Sequence, residues 1–378
     1  MPKLVFFVTE DWSFCQHFLP MARAARAAGL DVVVATRVRD HADRIMAEGC
    51  RVVPLENARG SAGAVEILRT MWRMGAIVRE EQPDIVHCIA IRMVMLGGIS
   101  ARIAGAPALV LAPTGLGVLW TLDGVRERLM RALVRPAVGR WLRGPRTRYI
   151  FENREDPAAF GLDPAAGDVA IIGGSGVDPL DFPAAPEPAA PPVKVAVVAR
   201  MVRTKGIAEA VAAVRGARRE GAPIELHLFG PPDPANRRSL TQRELEAWGA
   251  EPGIAWHGAT TDVARVWREH HVAMLLSYRE GLPRTLVEAA ATGRPIIATN
   301  VPGCREVVRD GVEGFLVPRG DVGGAVERLV RLAADPGLRV RLGAAAHRRF
   351  KERFTEDAVK AAVEAVYRQL LVLTSGQS

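Results

Sequence analysis

Short apolar runs alternate with longer amphipathic segments along most of this chain, a pattern typical of repeated strand–helix units. Strands covered on both faces of a parallel sheet are continuously apolar, whereas the connecting helices carry one apolar face. In the first half the pattern predicts strands at 3–9, 31–35, 51–54, 84–89, 107–112 and 147–152. It predicts helices between them, for example 17–28, which ends at Gly29. The expected fold class is therefore α/β with a doubly wound sheet.

The second half restarts the same pattern after a Pro/Ala-rich stretch, FPAAPEPAAPPVK at 182–194, which is typical of a short stiff linker. Its predicted strands are 193–199, 224–229, 254–257, 272–277, 295–299 and 314–317. We predict two Rossmann-like domains, 1–182 and 183–354, with a final helix at 355–373 that packs back on the first domain. Two such domains joined by a hinge place a ligand cleft between the carboxyl ends of their strands.

Composition narrows the class of partner. The 378 residues are 49% hydrophobic with a formal net charge of +8, which indicates a globular protein with an anionic partner. The four cysteines show neither CxxC nor zinc spacing, so reduced, buried thiols are expected. The apolar N-terminal run ends in acids, as a first strand does, and no apolar stretch has membrane-spanning length. We expect a cytoplasmic protein, at most attached to a membrane surface.

The segment YREGLPRTLVEAA at 278–290 places two carboxylates around a helix start. Pro283 suits the first turn of a helix, and Gly293 suits its C-terminal end. Glu280 then lies in the loop before the helix and Glu288 lies on the helix itself. Both would flank backbone N–H groups that attract anions.

A second segment, VAVVARMVRTKGI at 195–207, is a buried strand followed by Arg200, Lys205 and Gly206. Two cations beside a glycine at a strand end can clamp a diphosphate. The alternative is a solvated basic turn.

These segments together resemble the family 4 glycosyltransferases. The resemblance covers nearly the whole chain and rests on ARMVRTKG, HLFG at 227–230, SYREGLPRTLVEAAATGRPIIATNVPGCREVV and DGVEGFLVP. Its most specific mark is the pair Glu280 and Glu288, with Arg200 and Lys205 upstream. The resemblance implies a GT-B fold, in which two Rossmann-like doubly wound domains face a central cleft, and a retaining transfer from a nucleotide sugar.

The family pattern also implies roles for individual residues. Arg200 and Lys205 would neutralise the donor diphosphate, Glu288 would bind the ribose hydroxyls, and Glu280 would bind the transferred sugar. Arg200, Lys205, Glu280 and His87 are the implied catalytic residues. Further implied donor contacts are Phe229, Gly230, Gly281, Leu282 and Arg284, with His257 and Gly258 near the base. No Asp-x-Asp metal motif stands at a strand end, so we expect neither a metal nor a cofactor.

The first domain resembles a bacterial subgroup that builds capsular, exopolysaccharide or O-antigen units on a polyprenyl-diphosphate carrier. The segments that carry this resemblance are TEDWSFCQHFLPMARAARAAGLDVVVAT (9–36), DIVHCIAIRMVMLGG (84–98) and LAPTGLGVLW (111–120). The sequence departs from the subgroup in three places. Gln16-His17-Phe18 replaces Ser-His-Arg, Arg92-Met93 replaces Lys-Pro, and Ile89 replaces the second histidine of His-x-His.

Four residues of the first domain are candidate acceptor contacts: His17, Arg92, Thr114 and Gly115. Gly117 would allow a close backbone approach in the same loop. Each candidate has a structural alternative. His17 and His87 could be core residues, Arg92 could extend from a helix to solvent, and Thr114 could serve loop geometry.

The segment 119–148 places eight arginines among leucine, valine and tryptophan. Such a stretch can rest on an anionic bilayer; alternatively it packs on its own domain with a solvated basic face. Two rival functions remain at this point, a nucleotide-sugar epimerase and a non-catalytic basic protein that binds membrane or polyanions. The Arg-Lys-Glu-Glu set argues against the non-catalytic protein, because such a protein has no use for two hydroxyl-binding carboxylates. We expect a transferase with a nucleotide-sugar donor, a UDP-sugar rather than a GDP-sugar. Its acceptor would be a lipid-linked or free glycan, and no nucleic acid partner is expected.

Overall fold

The computed structural model describes residues 1–56, 63–116, 118–120, 124–234 and 236–375, which form two compact units. The first unit is Met1–Ser175 with the segment that begins at Glu356, and the second is Gly176–Thr355. The strands are β1 Lys3–Glu10, β2 Asp31–Arg37, β3 Arg51–Pro54, β4 Ile85–Ile89, β5 Ala108–Ala112, β6 Thr147–Phe151, β7 Val169–Ile171, β8 Val193–Val198, β9 Ile224–Phe229, β10 Ile254–Trp256, β11 Val272–Leu275, β12 Ile296–Thr299 and β13 Gly314–Val317. The helices are α1 Asp11–His17, α2 Leu19–Ala27, α3 Ala42–Ala47, α4 Ala64–Glu81, α5 Ile91–Ile103, α6 Val125–Pro136, α7 Ile207–Arg219, α8 Gln242–Gly249, α9 Val263–Glu269, α10 Arg284–Ala291, α11 Pro302–Val307, α12 Val322–Ala334, α13 Pro336–Arg353 and α14 Glu356–Ser375.

Each unit is built on one parallel sheet. The strand order is β3-β2-β1-β4-β5-β6-β7 in the first and β10-β9-β8-β11-β12-β13 in the second. In both sheets the order reverses beside the first strand, and ligands of doubly wound folds bind at the carboxyl ends of the strands next to that reversal. The predicted fold class of two Rossmann-like sheets is confirmed. The predicted strands agree with the structure to within two residues at each end, and β7 is an additional strand.

The helix predicted at 17–28 is confirmed as α2, which begins two residues later than predicted, and a separate short helix, α1, precedes it. Phe18 separates α1 from α2 with φ −128° and ψ 1°. Pro20 lies in the first turn of α2. A proline is tolerated in a first turn but breaks a helix interior, because it lacks an N–H group and clashes with the preceding turn.

The final helix α14 packs on the first unit. Val359, Val363 and Tyr367 are buried in the same apolar cluster as Ala22 and Ala25 of α2. Arg23 of α2 forms ion pairs with Glu48 and with Glu356. The helix therefore closes one face of the first sheet, although the rest of that unit ends almost two hundred residues earlier in the chain.

The Pro/Ala stretch at 182–194, expected to be a hinge, is instead attached to the second unit. Arg294 is 2% exposed and donates hydrogen bonds to Ala185 O (3.0 Å), Pro186 O (2.8 Å) and Trp267 O (2.8 Å). Arg339 pairs with Glu187 of the same stretch. Two buried guanidinium groups thus fix the backbone of this stretch.

Replacing Arg294 by methionine should destabilise the second unit. The change leaves three carbonyl groups without their donor, one of them buried, which we expect to cost about 3 kcal/mol of unfolding free energy. Chemical denaturation followed by circular dichroism measures the loss. Arg341→Met is the matched control, since Arg341 is 68% exposed on α13. Equal stability of the two variants would contradict the attachment role of Arg294.

Candidate functional site

Lys205 and Glu280 contact each other at the carboxyl end of the second sheet. Lys205 ends the single helical turn Arg203–Lys205 that follows β8, and Glu280 lies in the loop between β11 and α10. Lys205 Nζ donates a hydrogen bond of 2.6 Å to Glu280 Oε1, and the two side chains are 24% and 9% exposed. The structure thus joins the residue predicted to bind the diphosphate to the residue predicted to bind the sugar.

Gly206 allows the loops that carry this pair to touch. Its φ is +70°, and a Cβ atom there would lie 2.0 Å from Leu276 O. The N–H of Tyr278 also donates to Thr204 O at 2.9 Å. Only glycine combines this backbone conformation with so close an approach.

Gly206→Ala should therefore displace the turn that holds Lys205. We expect a loss of about 2–4 kcal/mol of unfolding free energy, from the clash and the strained φ together. Gly320→Ala is the control, because Gly320 has φ +79° and a Cβ atom there would meet no atom within 4 Å, so it tests strain without a clash. Denaturation curves of the two variants separate the effects; equal losses would show that contact with Leu276 is unimportant.

Glu288 lies on α10 as predicted, and it is 8% exposed. Burial raises the pKa of Glu288, and the guanidinium of Arg284 opposes that rise. Arg284 Nε donates to Glu288 Oε1 at 2.8 Å, an i,i+4 contact along the helix. Pro283 precedes the helix as its N-cap rather than lying in the first turn, and Gly293 with φ +81° follows the last turn. Both predicted hydroxyl-binding carboxylates thus already contact a cation.

Gly303 of α11 positions the Glu280 loop. Its N–H donates to Glu280 O at 3.3 Å. A Cβ atom on Gly303 would lie 2.4 Å from Gly281 O, so the backbones touch. Gly281 and Leu282, predicted donor contacts, lie in this same loop and are partly exposed.

Arg200 pairs with Asp233, which is neither of the two predicted carboxylates. Its Nη1 donates to Asp233 Oδ2 at 2.7 Å, and its side chain is 64% exposed. Asp233 was not part of the predicted site, because no motif links it to the strand end of β8. Its backbone N–H donates to Ser239 Oγ at 2.8 Å, which fixes the loop after β9.

Phe229 and His257 lie side by side at the ends of β9 and β10, where Phe229 is buried and His257 is exposed. Their rings stack at a centroid distance of 4.6 Å and an angle of 11°. Gly230, with φ +142°, donates its N–H to Gly258 O at 2.6 Å and accepts from Trp256 Nε1 at 3.0 Å. A Cβ atom on Gly230 would lie 1.8 Å from Ala199 O. The region predicted to border the base thus consists of stacked aromatic rings packed closely against the backbone of Gly230.

The described residues contain no group of three histidine, cysteine or acidic side chains that could hold a metal ion.

In the first unit, the structure contradicts the prediction that His87 is catalytic. His87 is fully buried in β4, where its ring contacts Phe6 and its Nδ1 lies 2.8 Å from Tyr367 Oη of α14. Burial lowers the pKa of His87 to about 3, so the ring is neutral. A side chain enclosed in the core cannot reach a substrate, and the core alternative is correct.

The four predicted acceptor residues lie near the carboxyl ends of the central strands. His17 ends α1, Arg92 lies in the first turn of α5, and Thr114 and Gly115 follow β5. All four are partly exposed, and Gly115 has φ +64°. Gly117 lies outside the described residues.

Two carboxylates at the end of β1 were missed. Asp11 is fully buried and accepts hydrogen bonds from the N–H groups of Trp12 (2.7 Å), Arg39 (2.6 Å) and His41 (3.0 Å). Burial alone would raise the pKa of Asp11, but these N–H groups lower it below its ordinary value. Glu10 pairs with Arg37 of β2 at 2.7 Å. The signal in the sequence was Thr-Glu-Asp at the end of an apolar strand. Asp11 and Glu10 together fix the loop after β2 at the edge of the sheet formed by the carboxyl ends of the strands, here called the ligand edge.

The basic segment 119–148 forms α6 and the wide turn Ala137–Trp141. Along α6 only Val134 is buried. Arg143 pairs with Asp168 through two hydrogen bonds of 2.7 and 2.9 Å. Within the described ranges, no helix combines the length and the apolar character needed to cross a bilayer.

Comparison with known proteins identifies relatives of both units. The family model "Glycosyl transferases group 1" matches residues 192–335, and "Glycosyl transferase 4-like" matches 3–141. The putative glycosyltransferase EpsD of Bacillus subtilis is 26% identical over 360 residues, 90% of each chain. The capsular polysaccharide biosynthesis glycosyltransferase CapM of Staphylococcus aureus is 26% identical over 180 residues, 48% of this chain and about half (47%) of that relative. The crystal structure of Anabaena HepE with UDP and glucose has the same fold, with a TM-score of 0.75, 16% identity and coverage of 98% and 100% of the two chains.

Proposed function

Because this chain belongs to the group 1 and GT4-like glycosyl transferases, we propose that it transfers a sugar from a UDP-sugar with retention of the anomeric configuration. The proposed acceptor is a hydroxyl group of a polyprenyl-diphosphate-linked glycan used for surface polysaccharide. The names of EpsD and CapM and the UDP bound by HepE support this choice.

One observation carries the donor assignment: two carboxylates and two cations form ion pairs near the N-terminal end of α10. Lys205 pairs with Glu280, and Arg284 pairs with Glu288. A nucleotide sugar offers each group a better partner. Its diphosphate attracts Lys205 and Arg284, and its hydroxyls donate to Glu280 and Glu288. Binding therefore exchanges internal ion pairs for contacts with the donor, without leaving a buried charge unpaired.

Phe229 and His257 provide the proposed surface for the base. Their stacked rings lie beside the packed backbone of Gly230 and Gly258. An aromatic surface with neighbouring backbone groups suits a planar base. Arg200, which is largely exposed, turns from Asp233 to the diphosphate when the donor is bound.

The proposed transfer needs no metal and no carboxylate nucleophile. The bond between the anomeric carbon and the diphosphate oxygen breaks, and the bond to the acceptor oxygen forms on the same face of the sugar. The acceptor proton moves to the departing diphosphate. Lys205, Arg200 and the N-terminus of α10 stabilise the negative charge that grows on the diphosphate.

The proposed acceptor site lies on the first unit, at His17, Arg92, Thr114 and Gly115. Arg92 in the first turn of α5 would bind an acceptor phosphate. The protein is proposed to act at the inner face of the membrane, where a polyprenyl-linked acceptor is held.

A thermal-shift panel of UDP, GDP and their sugars, without added metal and with chelator present, tests the donor assignment. Ligand at a hundred times its dissociation constant stabilises the folded state by about 2.7 kcal/mol. We expect UDP and one UDP-sugar to raise the melting temperature, with no effect of the chelator. A shift only with GDP compounds would change the base, and no shift with any nucleotide would overturn the donor site.

Product analysis separates transfer from epimerisation. An epimerase on this fold would convert the sugar of the donor without any acceptor. The proposed enzyme should consume donor slowly when alone and rapidly when a membrane extract containing lipid-linked glycans is added. Formation of an epimeric UDP-sugar in the absence of acceptor would replace the proposed function by the rival one.

A further inference from the structure

The helix α4 carries apolar side chains on a second side, which faces solvent. Val65, Leu68 and Trp72 are 73%, 65% and 70% exposed. Their i, i+3, i+7 spacing places them in one stripe. The opposite side of α4 buries Met74 and Ile77 in the core of the first unit. A helix that only covers a sheet needs one apolar face, so the outer stripe has no partner within the described chain.

The helix α6 also exposes a stripe of apolar side chains, and it buries fewer residues than α4 does. Val125, Leu129 and Leu133, at i, i+4 and i+8, are 65%, 63% and 66% exposed. Met130 beside them is 44% exposed. The sequence left open whether this segment packs on its own unit; the structure buries only Val134 of α6.

Both helices lie over the same face of the first sheet. Residues of α4, α5 and α6 share one core cluster with inward-facing residues of β1, β4 and β5. Each of α4 and α6 follows the carboxyl end of a strand and runs back along the sheet, so its first half lies at the ligand edge. The α4 stripe lies in the first half of its helix, and the α6 stripe begins in the first half of its helix and extends to Leu133. They therefore occupy one side of the unit, next to the edge at which the acceptor is proposed to bind.

The charges around the stripes favour an anionic surface as the partner. Residues 124–148 contain eight arginines and one acid, Glu127. Arg126 and Arg128 of α6 are exposed, and Arg69 of α4 is exposed beside Leu68. Apolar side chains flanked by arginine suit the boundary between headgroups and acyl chains of an anionic bilayer.

We propose that the exposed residues of α4 and α6, here called the two-helix surface (Val65, Leu68, Trp72, Val125, Leu129, Met130 and Leu133), dock on an anionic bilayer. This inference rests on the proposed lipid-linked acceptor. Insertion of α4 as well as α6 sets the orientation of the first unit, because two separate stripes define a plane whereas one helix can roll. The ligand edge of the first sheet then lies at the headgroup level, where the diphosphate of the acceptor is.

Vesicle co-sedimentation of the full chain tests the surface, with phosphatidylcholine vesicles that contain or lack phosphatidylglycerol. Wild type should bind only the anionic vesicles. The double variant L68S/W72A should bind them at least tenfold more weakly. The affinity of R126Q/R128Q for anionic vesicles should be about 25-fold lower than that of wild type, since each basic residue near an anionic surface raises the affinity roughly fivefold. Leu180→Ser and Arg268→Gln, at exposed positions of the second unit, are the matched controls and should bind as wild type does.

A residue-specific readout separates insertion from loose attraction. Brominated lipids quench tryptophans that enter the bilayer, and Trp72→Phe should remove a clear part of the quenching seen in wild type. Identical quenching of wild type and Trp72→Phe, or unchanged binding of L68S/W72A, would overturn the role of α4. UDP stabilisation is measured on the same preparations. If UDP stabilises the protein but the protein does not bind anionic vesicles, the proposed docking surface is wrong and the donor site stands. If UDP does not stabilise the protein, the proposed function is wrong whatever the vesicles show.

Discussion

Lys205→Ala should lower the rate of sugar transfer by about 10² to 10³-fold, the cost typical of removing one preorganised charge stabiliser from an active site. In the proposed reaction Lys205 opposes the negative charge that grows on the departing diphosphate. That charge is larger in the transition state than in the bound donor, so the loss should appear mainly in kcat. UDP binding should also weaken, because UDP carries the same diphosphate. Steady-state transfer assays and UDP titration measure the two effects.

The neighbouring cation provides a strict control for this variant. Arg203 lies two residues earlier in the same helical turn, but it pairs with Glu244 of α8 and is 57% exposed. Arg203→Ala should leave transfer within a few-fold of wild type. If both variants lose activity equally, the effect comes from the net charge or stability of the turn, and the specific role of Lys205 is refuted.

The fold could be predicted from the sequence largely because both sheets are parallel and covered on both faces. Such strands are continuous apolar runs, for example 85–89 and 108–112, in which all residues are buried. The same property hid the location of His87. When every position in β4 is buried, alternation cannot tell a core residue from one that faces a site, and its partner Tyr367 lies 280 residues away.

The donor residues could be assigned by motif, but their pairing could not. Arg284 and Glu288 are four residues apart on one helix, a spacing that favours contact. Lys205 and Glu280 are 75 residues apart, and they meet because Gly206 and Gly303 let three backbone segments touch. A close approach of this kind depends on the positions of β8, β11 and α11 in the folded sheet, which no local pattern specifies. The exposed apolar stripe of α4 was missed because apolar residues on two sides of a helix are typical of a helix that is buried all round. The sequence pattern alone does not show which of the two sides faces solvent.

Glu280→Gln should reduce transfer by about 10²-fold while UDP binding stays unchanged or tightens. The amide keeps the size of the side chain but no longer offers a charged acceptor to the hydroxyls of the transferred sugar. It also releases Lys205 from its 2.6 Å ion pair, so the ammonium can contact the diphosphate without first losing a partner. Transfer and UDP affinity should therefore move in different directions, whereas Lys205→Ala lowers both. Isothermal titration with UDP and transfer assays with the UDP-sugar separate these responses.

The double variant K205A/E280Q decides whether the pair acts as a unit. Residues in direct contact give non-additive effects, so the double variant should lose less activity than the product of the two single losses. Glu244→Gln provides the matched control, because it removes a carboxylate from the exposed Arg203–Glu244 pair in the same unit. If Glu280→Gln weakens UDP binding as much as it slows transfer, Glu280 binds the nucleotide rather than the sugar. In that case the two carboxylates would share one task, and the sugar would have to be recognised by other residues.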